Sequence, residues 1–200
     1  MAESLRPAVF LDRDGTVNEE VGYIRELERL VLIPGAAEAI RALNQMGVPV
    51  VLVTNQSGVA RGYYPETWLD ALHGRLTELL AAQGARLDGV YYCPHLPEGE
   101  VAEYSVECQC RKPEIAMLER AAAELQLDLS RSFMIGDKAT DVDAGLRAGC
   151  QTILLRSGYG EQVLRGEYQH LPDPDYICNS LHEGFEQVLK DWFTDLASSV

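Results

Sequence analysis

The sequence has little positive charge and no long apolar run. Its 200 residues include 17 lysines and arginines against 31 aspartates and glutamates, which gives a formal net charge of −14. That balance argues against a general role in coating nucleic acid or anionic membranes. No apolar run approaches the roughly 18 residues that span a bilayer, and residues 1–7 lack the apolar stretch of a secretory signal. We therefore expect a cytoplasmic protein, monomeric by default, that binds neither nucleic acid nor membrane.

The chain also lacks internal repeats, low-complexity tracts and flexible linkers. Its apolar share of 46% is enough for a packed core and differs from the composition of disordered proteins. Because a domain typically takes roughly 100–200 residues, we expect one domain over residues 1–200.

Short apolar runs alternate with longer amphipathic segments along most of the chain. The predicted strands are Ala8–Leu11, Val48–Val53, Gly89–Tyr92, Phe133–Ile135, Thr152–Leu155 and Tyr176–Cys178. The predicted helices are Gly35–Met46, Pro65–Gln83, Ile115–Leu125, Asp141–Ala148 and Leu181–Leu196. This alternation predicts an α/β fold, a doubly wound parallel sheet with helices on both faces. Ligands of such sheets bind beyond the carboxyl ends of the strands, so catalytic residues should directly follow strands.

Polar and charged groups follow the predicted strands at that edge. Asp12–Thr16 comes after the first strand and Thr54–Gly58 after the second. Gly136–Lys138 follows the fourth strand, with Asp141 about one helical turn later, and Arg111–Pro113 precedes the third predicted helix. The sequence therefore predicts that these groups meet in one crevice.

The residue types in these groups favour phosphoryl transfer. Paired carboxylates such as Asp12 and Asp14 repel each other unless a cation lies between them, and Asp137 adds a third oxygen ligand of the kind that Mg²⁺ takes together with waters and phosphate. One aspartate can attack phosphorus, and another can protonate the leaving oxygen and later deprotonate water. Thr54 and Lys112 are suited to stabilising the equatorial phosphoryl oxygens.

Four motifs in this order resemble the haloacid dehalogenase superfamily of phosphatases. They are Asp-x-Asp-Gly-Thr after an apolar strand, a strand-end Thr, a Lys before a helix, and Gly-Asp-x-x-x-Asp, and they span residues 9–141. The resemblance implies that Asp12 is the nucleophile and Asp14 the general acid/base. It implies that Asp12, the backbone carbonyl of Asp14 and Asp137 hold Mg²⁺, and that Thr54 and Lys112 bind the phosphoryl group. Singly, each motif has a simpler interpretation, such as a turn with a helix cap at residues 14–16.

A cluster of metal-ligand residue types lies between the third predicted strand and the third predicted helix. Within eighteen positions the chain carries Cys93, His95, Cys108 and Cys110. Three thiolates and one imidazole form a closed tetrahedral set for structural Zn²⁺. The intervening residues 96–107 have no evident core, so the metal would supply folding energy. The alternatives are a disulfide, or buried free cysteines beside an incidental histidine. We call residues 93–110 the zinc loop.

Within the superfamily, the chain resembles enzymes without a large cap domain that remove the 7-phosphate of D-glycero-D-manno-heptose 1,7-bisphosphate. Residues 10–16, 22–23, 53–62, 91–95, 110–113 and 136–138 carry this resemblance. It implies that Arg111 recognises the second phosphate, a task suited to the guanidinium fork. It also implies substrate contacts by Glu20, Val21, Gly22, Tyr23, Thr54, Asn55, Gln56, Ser57, Lys112 and Lys138. It does not indicate which anomer is preferred or which glycan the product feeds.

Three other functions compete with this interpretation. Histidinol-phosphate phosphatases share the aspartate motifs and the zinc loop, although Gly22, Tyr23 and the segment from Arg156 to Val200 favour the heptose enzyme. A zinc-stabilised binding module without activity would be free to lose an aspartate, yet every catalytic position is filled. A phosphatase acting on nucleic-acid ends is disfavoured by the net charge of −14.

Overall fold

In the part of the chain that the structure describes, a six-stranded parallel sheet has the strand order β3-β2-β1-β4-β5-β6. The structure is a computed structural model that describes residues 5–198. The segment predicted to lack a secretory signal is residues 1–7, and its residues 1–4 lie outside the described residues. The strands are β1 Val9–Leu11, β2 Val50–Asn55, β3 Gly89–Cys93, β4 Phe133–Gly136, β5 Gln151–Leu155 and β6 Tyr176–Cys178.

Among residues 5–198, seven α-helices connect or follow these strands. They are α1 Ala36–Gln45, α2 Thr67–Ala81, α3 Ala116–Leu125, α4 Ala139–Ala148, α5 Gly160–Leu164, α6 Leu181–Gly184 and α7 Lys190–Ser198. A π-helical turn over Phe185–Leu189 joins α6 to α7, so the single C-terminal helix predicted from the sequence is interrupted. The short helix α5 was not predicted.

Both faces of the sheet are covered by helices. Alternate residues of a strand point to opposite faces, and in β1 Val9 and Leu11 pack in the cluster that contains α1, α2 and the C-terminal helices. Phe10, between them, packs in a second cluster that contains residues of α3 and α4. Because all three are fully buried, the strand is covered on both sides, and the predicted doubly wound α/β fold is confirmed.

The strand order reverses between β1 and β4, which places a crevice at their carboxyl ends. Asp12 directly follows β1, and Asp137 directly follows β4. The helix α4 begins at Ala139, two residues earlier than predicted, because Asp141 accepts a hydrogen bond from the Lys138 backbone nitrogen at 3.0 Å and caps the helix. This cap fixes Asp137–Asp141 as a compact turn beside Asp12.

No described stretch between consecutive helices and strands is long enough to form a cap domain of roughly 50 residues or more. The stretch between β3 and α3, residues 94–115, holds most of the zinc loop. It packs on the segment after β2, where the Val101 backbone nitrogen donates to the Ala60 carbonyl at 2.9 Å. Within residues 5–198, every helix is too short or too polar to cross a membrane.

Candidate active site

A cavity of about 430 Å³ opens at the carboxyl edge of the sheet. The segments after β1, β2, β4 and β5 and the end of the zinc loop all contribute to it. Its lining residues are Asp12, Asp14, Glu20, Gly22, Tyr23, Asn55, Gln56, Ser57, Arg61, Arg111, Lys112, Pro113, Lys138, Thr140, Asp141, Tyr159, Tyr168 and Gln169. The structure thus brings together most of the residues that the sequence singled out.

Asp12 lies at the base of this cavity in contact with a buried lysine. Its carboxylate is 3.0 Å from Lys112 Nζ, and only 4% of Asp12 and 2% of Lys112 are exposed. Lys112 also pairs with Asp141 at 2.7 Å and donates to the Val53 carbonyl at 2.6 Å. Burial raises the pKa of Asp12, but the charges of Lys112 and Lys138 outweigh it and hold that pKa below its usual range. Asp12 is therefore an ionised carboxylate.

The ammonium of Lys138 is surrounded by several oxygen atoms. Its Nζ lies 3.4 Å from Asp12 Oδ2, 3.4 Å from the Asp14 carbonyl and 3.2 Å from Asp137 Oδ1. Glu20 Oε2 is 3.3 Å away on the outer side. Burial raises the pKa of Asp137 to about 8, although the charge of Lys138 opposes the rise. The charges of Asp12 and Asp141 add to this rise, so a further cation beside these carboxylates would favour their ionised forms.

This set of oxygens fits Mg²⁺. Two carboxylates and one carbonyl match the preference of Mg²⁺ for oxygen ligands completed by water and phosphate, and Asp12, Asp137 and Asp141 each offer an oxygen within 4.8 Å of the others. The ammonium of Lys138 contacts the same two carboxylates and the same carbonyl in this structure. Gly15 and Gly158 pack directly against Asp137. A Cβ at either position would collide with the Asp137 carboxylate, so both positions require glycine.

Asp14 is held on the other side of the cavity by three donors. Arg13 Nη2 lies 2.7 Å from Asp14 Oδ2, Asn18 Nδ2 donates to Oδ1 at 2.9 Å, and Gln56 Nε2 donates to Oδ2 at 3.1 Å. Arg13 in turn contacts His73 Nε2 through Nη1 at 3.3 Å. The two aspartates of the first motif therefore share the cavity, but their carboxylates have separate hydrogen-bond partners.

A residue at the end of β2 holds the backbone of Lys112 in place. Asn55 donates from its side-chain amide to the Lys112 carbonyl and accepts from the Lys112 backbone nitrogen, both at 3.0 Å. Thr54 is buried beneath the cavity, where its Oγ1 accepts from Gln56 at 3.0 Å. Thr54 and Val21 do not line the cavity, and Val21 instead packs against the core. The predicted substrate contacts of these two residues stay predictions.

The outer rim carries the other predicted substrate residues. Glu20 accepts from the Gly22 backbone nitrogen at 2.8 Å, and the Tyr23 hydroxyl lies 3.5 Å from Ser57 Oγ. Arg111 donates from Nη1 to the His95 carbonyl at 3.1 Å, so the zinc loop orients this guanidinium.

The sequence did not single out several residues that the structure places at this site. Tyr159 and Tyr168 stack with ring centroids 4.3 Å apart and form one wall of the cavity. The Tyr159 backbone nitrogen donates to Asp137 Oδ2 at 2.8 Å. His73, which lies on α2, contacts the site only through Arg13. No local pattern marks these three residues, since they reach the site through long-range packing.

The four predicted zinc ligands converge. Sγ atoms lie 3.5 Å apart for Cys93 and Cys108, 3.0 Å for Cys93 and Cys110, and 3.4 Å for Cys108 and Cys110. His95 Nδ1 is 3.3 Å from Cys110 Sγ. All four cysteine and histidine ligand atoms lie within 4.8 Å of one another, and the thiols are free. This arrangement fits one tetrahedral Zn²⁺, with bonds of about 2.3 Å to sulfur and about 2.0 Å to nitrogen.

Comparison with known proteins places the chain in a family. The haloacid dehalogenase-like hydrolase model matches residues 9–73, and a HAD-hydrolase-like model matches residues 109–184. The D-glycero-D-manno-heptose-1,7-bisphosphate 7-phosphatase of Thermosynechococcus vestitus is 55% identical over 187 residues, covering 92% of this chain and 95% of the relative. The chain belongs to the haloacid dehalogenase-like hydrolases.

Other relatives extend this family assignment. The D-glycero-beta-D-manno-heptose-1,7-bisphosphate 7-phosphatase of Escherichia coli K12 is 45% identical over 182 residues, which cover 90% of this chain and 92% of that protein. A crystal structure of D,D-heptose 1,7-bisphosphate phosphatase from B. bronchiseptica, complexed with magnesium and phosphate, superimposes with a TM-score of 0.82 at 33% identity. That match covers 92% of this chain and 99% of the other. The predicted family is therefore confirmed.

Proposed function

We propose that the chain is a Mg²⁺-dependent phosphatase that converts D-glycero-D-manno-heptose 1,7-bisphosphate to the heptose 1-phosphate by removing the 7-phosphate. One observation carries the reaction type. Asp12, Asp137 and the Asp14 carbonyl surround a single cation position, and Lys112 neutralises Asp12 from the opposite side. This arrangement leaves one carboxylate able to attack phosphorus beside two positive charges. The names of the relatives support the substrate.

In the first step, a carboxylate oxygen of Asp12 forms a bond to phosphorus while the bond from phosphorus to the sugar oxygen breaks. Asp14 donates a proton to the departing oxygen, which leaves as a hydroxyl. Lys112, within 3.0 Å of Asp12, offers its ammonium to the equatorial phosphoryl oxygens. Bound Mg²⁺, held by Asp12, Asp137 and the Asp14 carbonyl, would supply further neutralisation of the charge on these oxygens.

In the second step, water attacks the phosphorus of the phospho-aspartate. Asp14 is then a carboxylate and takes the proton from that water, while the bond between phosphorus and Asp12 breaks. Inorganic phosphate leaves, and both aspartates return to their starting states. The same residue thus serves as acid and then as base, which requires that its carboxylate stay directed towards the reacting oxygen.

The outer cavity is suited to a sugar that carries a second phosphate. Arg111 and Arg61 both line it, and Arg61 Nε is buried without a hydrogen-bond partner. The stacked rings of Tyr159 and Tyr168 provide an apolar face for the carbon skeleton. A guanidinium binds phosphate through paired donors, so we assign Arg111 to the 1-phosphate.

The test is release of inorganic phosphate in the presence of Mg²⁺ from both anomers of heptose 1,7-bisphosphate and from histidinol phosphate. We expect kcat/KM to favour a heptose bisphosphate by about 10- to 150-fold, since losing one charge-assisted pair costs roughly 1.5–3 kcal/mol. Arg111→Gln should reduce this preference and leave histidinol phosphate unaffected. A preference for histidinol phosphate would reject the substrate but retain the mechanism.

We further propose that the protein acts as a monomer in the cytoplasm, without a nucleic-acid or membrane partner. The net charge of −14 supports the absence of a nucleic-acid or membrane partner, because nucleic acids and most cell membranes are themselves anionic. Light scattering of the purified protein tests the oligomeric state, and a dimer would reject that part of the proposal.

A further inference from the structure

Arg13 is a charged side chain in an unusual setting. It is the largest of the fully buried side chains that the structure describes, and it lies between the two catalytic aspartates in the sequence. A buried guanidinium is costly unless its donors are satisfied. Its partners therefore indicate why the fold retains it.

The donors of Arg13 are divided between two partners. Nε and Nη2 contact Asp14 Oδ1 at 3.1 and 3.0 Å, and Nη2 contacts Asp14 Oδ2 at 2.7 Å. Nη1 faces His73 Nε2 at 3.3 Å. The planar guanidinium thus contacts the Asp14 carboxylate through Nε and Nη2 and the His73 imidazole through Nη1.

His73 is an acceptor in this contact. Burial, together with the neighbouring Arg13 charge, lowers the pKa of His73 to about 3, so the ring is neutral at neutral pH. An arginine has no acceptor atoms, so the Arg13 N–H must donate to an unprotonated Nε2. His73 is in turn held by α2, whose residues Leu69, Leu72 and Leu76 are fully buried.

We propose that His73 and Arg13 are positioning residues that direct the Asp14 carboxylate during proton transfer. This inference rests on the proposed function, since it concerns the acid/base of that reaction. His73 fixes the rotation of the guanidinium, and the guanidinium fixes the plane of the carboxylate. Neither residue needs to touch the substrate. Their role is to hold the Asp14 carboxylate in a fixed orientation relative to α2.

The matched variants are His73→Leu and His73→Gln. Leucine fills the space but offers no acceptor, whereas the glutamine side-chain oxygen can replace Nε2, and both residues favour helices. Leu80→Ala, on the same helix, is the control for a loss of stability without contact to Arg13. Each protein is assayed with heptose 1,7-bisphosphate and with 4-nitrophenyl phosphate, whose leaving group departs as an anion without a proton.

We expect His73→Leu to lower kcat/KM for the heptose bisphosphate about 10- to 100-fold, because a misplaced acid forfeits much of its effect. The loss for 4-nitrophenyl phosphate should be no more than a few-fold, because kcat/KM covers only the steps up to departure of the leaving group. His73→Gln should restore the ratio of the two substrates, and Leu80→Ala should not change it. Equal losses for both substrates in His73→Leu would overturn the proposal.

A crystal structure of each His73 variant tests the positioning without any substrate. The Asp14 carboxylate should be displaced or disordered in His73→Leu and unchanged in His73→Gln. An unchanged Asp14 in His73→Leu would overturn the inference even if the enzyme is active. Conversely, a wild-type protein that hydrolyses neither phosphate would reject the proposed function, and this structural comparison would then decide the positioning alone.

Discussion

Asp12 is buried at the base of the cavity and still ionised, and this combination makes it a nucleophile at neutral pH. Burial alone would favour its neutral form, but the charges of Lys112 and Lys138 outweigh that penalty and lower its pKa. Lys112 would keep a carboxylate partner without Asp12, because it also pairs with Asp141 at 2.7 Å. The fold is therefore able to accept a neutral side chain at position 12.

From this arrangement we predict that Asp12→Asn abolishes turnover without unfolding the protein. Removing the nucleophile should lower kcat by at least about 10³-fold, while circular dichroism and the cooperativity of unfolding stay as in the wild type. Asp70→Asn, an exposed aspartate on α2, is the matched control and should retain full activity. Appreciable phosphate release by Asp12→Asn would reject the assignment of the nucleophile.

The buried neutral state of His73 predicts a pH dependence of stability. The pKa of His73 is lowered from 6.5 to about 3 in the folded protein, chiefly by burial and then by Arg13. Below pH 6.5 the unfolded chain therefore gains a proton that the folded chain does not. The stability contributed by neutral His73 is complete above pH 6.5 and is lost as the pH falls from 6.5 towards 3.

Urea unfolding of the wild type and of His73→Gln between pH 7 and pH 5 measures this effect. Since one pKa unit corresponds to about 1.4 kcal/mol, the free energy of unfolding of the wild type should fall by roughly 2 kcal/mol relative to the variant. Glutamine does not titrate, so other groups cancel in the difference. Parallel pH profiles for the two proteins would contradict a buried, neutral His73.

At the scale of elements, the zinc loop connects the four predicted zinc ligands to two cationic side chains of the active site, Arg111 and Lys112. Cys110 directly precedes Arg111 and Lys112, and Arg111 donates to the His95 carbonyl. The loop also packs on the segment after β2 through the contact of Val101 with Ala60. A defined conformation of this loop therefore sets where both cations lie.

We predict that Cys108→Ser loses the single bound Zn²⁺ and lowers kcat/KM about tenfold or more, since small displacements of positioning groups are costly. Cys150→Ser is the matched control, because Cys150 is a buried free cysteine outside the cluster. Metal analysis by mass spectrometry, followed by the phosphate-release assay, checks both points. A wild-type protein without zinc, or a Cys108→Ser variant with full zinc content, would refute the predicted site.

The segment after β5 forms one wall of the active site, although its sequence gave no indication of this role. Ser157 Oγ donates to the Gly15 carbonyl at 2.7 Å, and Gln169 Oε1 accepts from the Ala139 backbone nitrogen at 2.9 Å. These contacts join the segment to the ends of both β1 and β4. The wall formed by Tyr159 and Tyr168 is therefore fixed relative to Asp137.

At the scale of the whole molecule, Mg²⁺ binding is linked to global stability. The cation position joins the segments after β1 and β4, and its carboxylates repel one another where Lys138 does not compensate them. A ligand that binds only the folded state stabilises it by about 2.7 kcal/mol at 100 times its Kd. For a chain of this size that corresponds to an increase in Tm of roughly 5–10 °C.

We therefore predict that saturating Mg²⁺ raises the Tm of the wild type by about this amount and that Asp137→Asn largely removes the shift. Differential scanning calorimetry at neutral pH, with and without Mg²⁺, measures both. Asp143→Asn, at a half-buried α4 residue that contacts His170 and does not line the cavity, is the control and should respond like the wild type. An equal Mg²⁺ response in Asp137→Asn would place the ion elsewhere.

The sequence by itself determined the sheet, the strand ends and the residue types at them. Apolar runs that alternate with amphipathic segments specify strands and helices through local periodicity, and a parallel sheet brings the ends of β1, β2 and β4 to one edge. The motifs at Asp12, Asp137 and Cys93 could be identified for the same reason, since their spacing is local.

Only the tertiary structure decided which partners these groups have. The contact between Arg13 and His73 joins residues 60 positions apart, and Ser157 reaches Gly15 across 142 positions. Such contacts depend on how helices and loops pack on the sheet, and no sequence periodicity encodes them. The convergence of Lys138 with Asp12, Asp137 and the Asp14 carbonyl has the same origin, because two separate strand ends must be adjacent before their charges can act on one another.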